Sequence, residues 1–172
     1  VYAAHNTYMK GVTWSNAPST TVPSTGTIFP EFLEGCVVHG DVSYVNVYDA
    51  AFNGLTASRV VLKDVTRVGF NNNISVGTVM GTNVQSQSLV YGTFNDVSLS
   101  QYNNVFLQGC SVDGDISFVK VSDANIAQLT ASRFGINGAT NMNILGNNSI
   151  GTLMGTNVLT QSLDNGTYND VS

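Results

Sequence analysis

The sequence predicts an all-β chain wound as a β-solenoid (parallel β-helix), and three observations lead there. The chain repeats itself at a constant 74-residue offset with no insertion or deletion. Its apolar residues are largely β-branched or aromatic and fall in short alternating runs separated by Gly and Asn clusters. Helix formers are scarce: Glu occurs only at Glu31 and Glu34, and Lys only at Lys10, Lys63 and Lys120.

The repeat is read from matching segments. Leu33-Glu34-Gly35-Cys36 returns as Leu107-Gln108-Gly109-Cys110, and Leu55 to Arg59 returns as Leu129 to Arg133. Met80-Gly81-Thr82-Asn83-Val84 returns as Met154 to Val158, and Asn95 to Ser98 as Asn169 to Ser172. A weaker period of 37 runs inside it, through Gly40, Gly77, Gly114 and Gly151, through Thr56, Thr93, Thr130 and Thr167, and through Val47, Val84, Val121 and Val158. Each 74-residue copy therefore reads as two 37-residue halves. Halving again predicts coils of roughly 18 to 19 residues, about one turn of a parallel β-helix, each stacked ~4.8 Å above the last. At this level Phe32-Leu33 aligns with Ala51-Phe52, and Phe106-Leu107 with Phe70-Asn71 and Ser88-Leu89.

Runs such as Val42-Ser43-Tyr44 and Val119-Lys120-Val121 supply strands. Clusters such as Asn71-Asn72-Asn73 and Gly146-Asn147-Asn148 supply left-handed turns, and stacked Asn side chains can form amide ladders. A five-residue rhythm is also present, through Val37, Val42, Val47, Phe52, Ala57 and Leu62, then Ile74, Val79, Val84, Leu89, Phe94 and Leu99. In this the chain partly resembles pentapeptide-repeat proteins. The rhythm slips by two residues between Leu62 and Ile74, and a 37-residue period does not divide into 20-residue square coils. The closer architectural resemblance is to the less regular β-helices of surface proteins and phage tailspikes.

The chain divides into residues 1–31, an N-terminal coil followed by a Pro/Ser/Thr-rich loop or arm, and the repeat region 32–172, with copies 33–106 and 107–172. Residues 13–31 match no coil. They hold Trp14, Pro18, Pro23 and Pro30, and read either as an arm toward a neighbour or as a lid on the first coil. The second copy stops at Ser172, in the middle of a repeat. The segment Asn6 to Val12 resembles Asn104 to Cys110, with Asn6 and Gly11 identical and Tyr8 opposite Phe106, which sets Val1 opposite Leu99. If Val1 of one copy follows Val171 and Ser172 of another, the solenoid continues head to tail, a contact that generates rings or filaments. A start at Val1 rather than Met also fits a processed or excised chain.

Composition narrows the function classes. Charged residues make up 10% of the chain, against roughly 25% in ordinary soluble domains. A net charge of −5 argues against a nucleic-acid footprint. No apolar run reaches the ~20 residues of a membrane span. The sequons at Asn73, Asn147 and Asn165 are compatible with export and glycosylation.

Candidate chemistry is thin. Cys36 and Cys110 occupy the same place in the two copies, and four coils would hold them ~19 Å apart, too far for a disulfide within one chain. They read as buried core thiols or, alternatively, as partners in a bond between subunits. Arg59 and Arg133 share a column with Asp96 and Asp170, expected two coils apart and only weakly interacting. Asp41 with Asp115, and Asp49 with Asp123, match no calcium loop and read as solvated turn aspartates. His39, Lys63, Asp64 and Arg67 break the repeat and are the best enzymatic candidates, with no nucleophile motif or metal-spaced cluster beside them. No catalytic residue, metal or cofactor is assigned. Thr-x-Thr ranks are absent.

These features lead to a non-enzymatic, extracellular or cell-surface structural protein, a homopolymerising subunit of a sheath, surface layer, filament or fibre. In style it resembles the tubular sheaths of methanogenic archaea. The alternative is a phage tail fibre or adhesin module gripping polysaccharide through Tyr44, Tyr48 and Phe118, and the third reading is a polysaccharide-cleaving β-helix enzyme.

Overall fold

The computed structural model describes residues 8–11, 13–15 and 30–172. Every element among them is a strand: β1 (Tyr8–Lys10), β2 (Thr13–Ser15), β3 (Pro30–Glu34), β4 (Val37–Val45), β5 (Asp49–Asn53), β6 (Thr56–Gln108), β7 (Ser111–Ala127), β8 (Thr130–Leu145), β9 (Asn148–Leu163) and β10 (Gly166–Val171). The strands pair in parallel, and from β3 onward partners stand 18 or 19 positions apart in the chain. The chain is a parallel β-solenoid of about seven coils, beginning at residues 37, 56, 75, 93, 111, 130 and 149.

The burial pattern explains the coil length. Each coil sends seven positions inward, spaced by steps of two and three residues, with one step of four in each longer coil. In the first coil they are Val38, Val42, Tyr44, Val47, Ala50, Phe52 and Leu55, all buried. Steps of two are the alternation of a pleated strand; steps of three turn a corner. Two corners per coil carry a residue in left-handed conformation. One stands before the fourth inward position (Asn46, Asp64, Asn83, Gln101, Lys120, Gly138, Asn157), and the other lies just ahead of the seventh (for example Gly35, Gly54, Tyr91, Gly109, Gln128).

The 74-residue repeat is four coils, two longer ones starting at Val37 and Thr56 and two shorter ones starting at Ser75 and Thr93. Each longer coil holds one extra residue. In the first it falls between Val38 and Val42, and in the second between Phe70 and Ile74; Val112–Ile116 and Ile144–Asn148 are the equivalents. The 37-residue period appears where two stacked coils share one extra residue. The five-residue rhythm is the alternation of two- and three-residue steps. It slips between Leu62 and Ile74 because the two consecutive steps of three through Val65 to Val68 add one residue and the four-residue step from Phe70 to Ile74 adds another. One alignment shifts by a residue: Phe70 is level with Phe52 and, by the same column, with Leu107 rather than Phe106.

The inward columns pack without charge. Phe52 stacks on Tyr44 and Phe70, with centroids 5.5 and 4.7 Å away, and Phe118 meets Phe134 edge-on at 4.9 Å. Buried Asn148 is fully served: its Oδ1 accepts the Leu129 N–H (2.9 Å), and its Nδ2 donates to the Leu145 and Gly146 carbonyls (3.1 and 2.6 Å). Two places are unsatisfied among the described residues, one of them the Tyr168 hydroxyl. At the other, the Gln87 carboxamide and the Tyr102 hydroxyl are buried with no hydrogen-bond partner. A Cβ on Gly81 would lie 1.5 Å from that hydroxyl, so the glycine makes room for Tyr102 of the next coil. Burial pushes the Tyr102 phenol well above its ordinary pKa, and it stays protonated.

The stretch expected to match no coil is narrower than 13–31. β2 pairs with β4, and β3 pairs with β1 and β5, so Thr13–Ser15 and Pro30–Glu34 belong to the solenoid. Backbone pairing along the stack recruits Thr13–Ser15 and the Pro30-Glu31 start of β3, although neither carries the repeat's sequence. The arm or lid reading falls on residues 16–29, outside the described residues.

Candidate functional site

Outward positions form columns as regular as the inward ones. Asp41 and Arg59 are neighbours in register and ion-paired, as are their repeat equivalents Asp115 and Arg133. Arg133 grips Asp115 with two bonds, its Nε lying 2.8 Å from Oδ1. Arg67 Nη2 donates to Asp49 at 2.9 Å and its guanidinium lies 5.2 Å from the Tyr48 ring centre. Arg133 and Asp170 do share a column two coils apart, both level with Thr152, while the ion-pair partners of Arg59 and Arg133 are Asp41 and Asp115, one coil away. The aspartates read as solvated turn residues are held in lateral ladders. Asp96 instead accepts the Asp115 backbone N–H at 2.9 Å. The Arg133 guanidinium holds the Asp115 carboxyl below its usual range, mainly through the hydrogen bond.

Amide ladders occupy further outward columns. Asn83 donates to Asp64 (2.6 Å), Asn141 to Asp123 (2.5 Å), Asn143 to Asn125 (3.0 Å) and Asn157 to Asn137 (3.4 Å). Each bond joins adjacent coils, so the exposed faces are tied along the axis as well as within the sheet.

A third kind of outward column consists of hydroxyls. Thr56, Ser75, Thr93, Ser111, Thr130, Ser149 and Thr167 occupy equivalent places on successive coils and point to solvent. The 37-residue period exposes the threonines alone. The serines between them become visible only when coils of unequal length are stacked, which sequence comparison at one fixed offset misses. Two shallow depressions of about 380 and 450 Å³ flank this column and meet at Thr93.

Other sequence-derived candidates are scattered. Cys36 and Cys110 are buried, four coils apart and not joined to each other. Burial pushes the Cys110 thiol pKa up, and its Sγ lies 3.3 Å from the Leu89 carbonyl oxygen. The glycan-gripping alternative needs Tyr44, Tyr48 and Phe118 to project outward, but Tyr44 and Phe118 are core residues and only Tyr48 of the three is exposed. The alternation of the strand turns Tyr44 and Phe118 inward, where large aromatic area is best buried. His39 stands at the corner after Val38, Lys63 and Asp64 lie by the next coil's left-handed turn, and Arg67 is engaged by Asp49. They do not share one column. Among the described residues no group of three or more His, Cys, Asp or Glu could hold a metal ion.

Asn147 and Asn165 are exposed, while the Asn73 side chain is outside the described residues. Val1 and Asn6 are also outside them. Tyr8 pairs with Phe32, the repeat equivalent of Phe106, and Gly11 has the same φ of +62° as Gly109. Val171 and Ser172 are exposed on the last coil. No helix among the described residues is long and apolar enough to cross a membrane. Comparison with protein-family models, curated proteins and solved structures finds no match.

Proposed function

We propose that the chain is an extracellular structural protein whose solenoid is extended, coil on coil, by a further copy of itself, forming a sheath, surface layer, filament or fibre. The observation that carries this reading is that the inward apolar columns and the parallel register hold one phase from coil to coil through Leu163 and Val171, so that a further coil can be stacked in the same register. A parallel coil contributed by another copy makes a heterologous contact, which propagates as a fibre or closes as a ring.

The surface supports the same reading. Charge is sparse, 17 charged side chains in 172 residues, and three Asp–Arg pairs among the described residues offset part of it, so repulsion between stacked copies is small. Ladders of Asn, Asp, Ser and Thr continue in phase from coil to coil and can continue from copy to copy.

Electron microscopy with sedimentation of the purified chain tests the proposal. Long polymers or rings are expected, and Leu163→Lys should leave folded single chains by placing a charge in a column that the next copy would bury. Wild-type protein that stays monomeric at high concentration, or Leu163→Lys protein that still polymerises, overturns it.

A further inference from the structure

We propose that the face around Tyr91 is a binding site for a neutral, linear polysaccharide, laid along the solenoid axis on the hydroxyl column. Four features converge there. Tyr91 is 53% exposed and lines one of the two depressions that meet at Thr93. Its ring lies across Gly109 of the next coil, where a Cβ would come within 2.4 Å of the ring. The aromatic face is therefore laid along the stack rather than directed into it.

The backbone at Tyr91 is left-handed, with φ of +53°. The same corner elsewhere carries Gly35, Gly54, Gly109 and Gln128, and the repeat equivalent of Tyr91 is Asn165; glycine and asparagine adopt this conformation readily. A bulky aromatic is the costly choice there, and the second copy shows that the fold does not need it.

The lining carries no fixed charge. Neither depression is bordered by Asp, Glu, Lys or Arg, and His39 touches only the one away from Tyr91. Hydroxyls and amides such as Ser75, Thr93, Asn95 and Gln128 line the rest. An exposed aromatic beside neutral hydrogen-bonding groups suits sugar rings, which present apolar C–H faces and hydroxyl edges. The column also has direction and period. Its hydroxyls recur at the coil spacing of ~4.8 Å, close to the length of one sugar unit in an extended chain. A linear polymer can therefore meet the same donor and acceptor at each step. The aromatic anchor is Tyr91, in place of the buried Tyr44 and Phe118.

Titration of the full chain with cellohexaose, xylohexaose and mannohexaose, followed by NMR and calorimetry, tests the site, with hexagalacturonate as the charged comparison. At least one neutral hexasaccharide should bind and shift the Tyr91 ring signals. Tyr91→Asn, which installs the second copy's residue, should lower affinity by roughly ten-fold or more, as for loss of an aromatic anchor. Its thermal unfolding temperature should be unchanged or higher, because Asn accepts the left-handed turn, so lost binding cannot be lost folding. Thr93→Val should weaken binding by a smaller factor. The proposal is overturned if no neutral hexasaccharide binds, if hexagalacturonate binds as tightly, or if Tyr91→Asn retains full affinity.

Discussion

The coil at 75–92 returns almost unchanged at 149–166. The two differ only at Val76/Ile150, Val79/Leu153, Gln85/Leu159, Ser86/Thr160, Val90/Asp164 and Tyr91/Asn165. They share Gly81/Gly155, Val84/Val158, Gln87/Gln161 and Leu89/Leu163. In the first, Val84, Gln87 and Leu89 are buried. In the second, Val158 is half-buried and Gln161 and Leu163 are exposed. Burial in a solenoid is thus a property of the layer above and not of the residue, because each coil shares its core only with its neighbours. The pair also separates what packing demands from what it tolerates. Gly81 is required because Tyr102 fills the space over it, whereas Gly155 meets nothing closer than 3.4 Å.

The largest effect should come from deleting one leucine from each coil. Leu89→Ala is expected to destabilise by about 2–5 kcal/mol, and Leu163→Ala by roughly 1 kcal/mol or less, since the latter leaves no enclosed cavity. Chemical unfolding of the dispersed chain measures both. Equal costs would mean that the last coil is covered in solution, which would dissolve the contrast and favour stacking of copies.

Next in size, Gly81→Ala should cost about 1–3 kcal/mol by forcing Tyr102 aside. Gly155→Ala should be neutral or stabilising by up to about 1 kcal/mol, because glycine weakens a strand interior. Combining Gly81→Ala with Tyr102→Phe should recover part of the loss, since the colliding atom is the hydroxyl itself. Alone, Tyr102→Phe should raise stability by about 1 kcal/mol, as it removes a buried hydroxyl that has no partner. A loss on that substitution would show that the hydroxyl and Gln87 are bridged.

The smallest effect concerns the outward ladder. Asp115 is held below the usual carboxylate range in the folded chain. Its contribution is therefore complete above the unfolded-state pKa and is lost as pH falls through the lowered folded value. Arg133→Gln should move the Asp115 titration seen by carbon NMR back toward normal, with little change in unfolding midpoint at neutral pH, because the pair is solvent-exposed.

Much of this architecture was legible in the chain. Exact matches such as Met80–Val84 with Met154–Val158 announced the repeat, and β-branched runs with Asn and Gly corners announced strands and turns. The coil length, half of the 37-residue period, and the separation of Cys36 from Cys110 followed from that spacing. Less legible was anything that depends on which coil adds a residue. The 37-residue period put Arg133 and Asp170 rightly in one column two coils apart, but it skips the coil between, so it did not show that the arginines pair with Asp41 and Asp115 one coil below. The hydroxyl column showed only its threonines for the same reason. The glycan-gripping alternative required Tyr44 and Phe118 to face outward, against the default burial of strand aromatics, and burial is where the structure puts them.

By itself the sequence determined the all-β class, the parallel stacking of near-equal coils and the apolar positions available to face inward. Those are consequences of periodicity, which a chain carries locally. Tertiary structure alone decided that Leu89 is core and Leu163 is surface, that Asp41 neutralises Arg59, and that Tyr91 lies beside a continuous row of hydroxyls. Each of these depends on the register between coils. One extra residue at Val38–Val42 or Phe70–Ile74 resets that register for everything stacked above it.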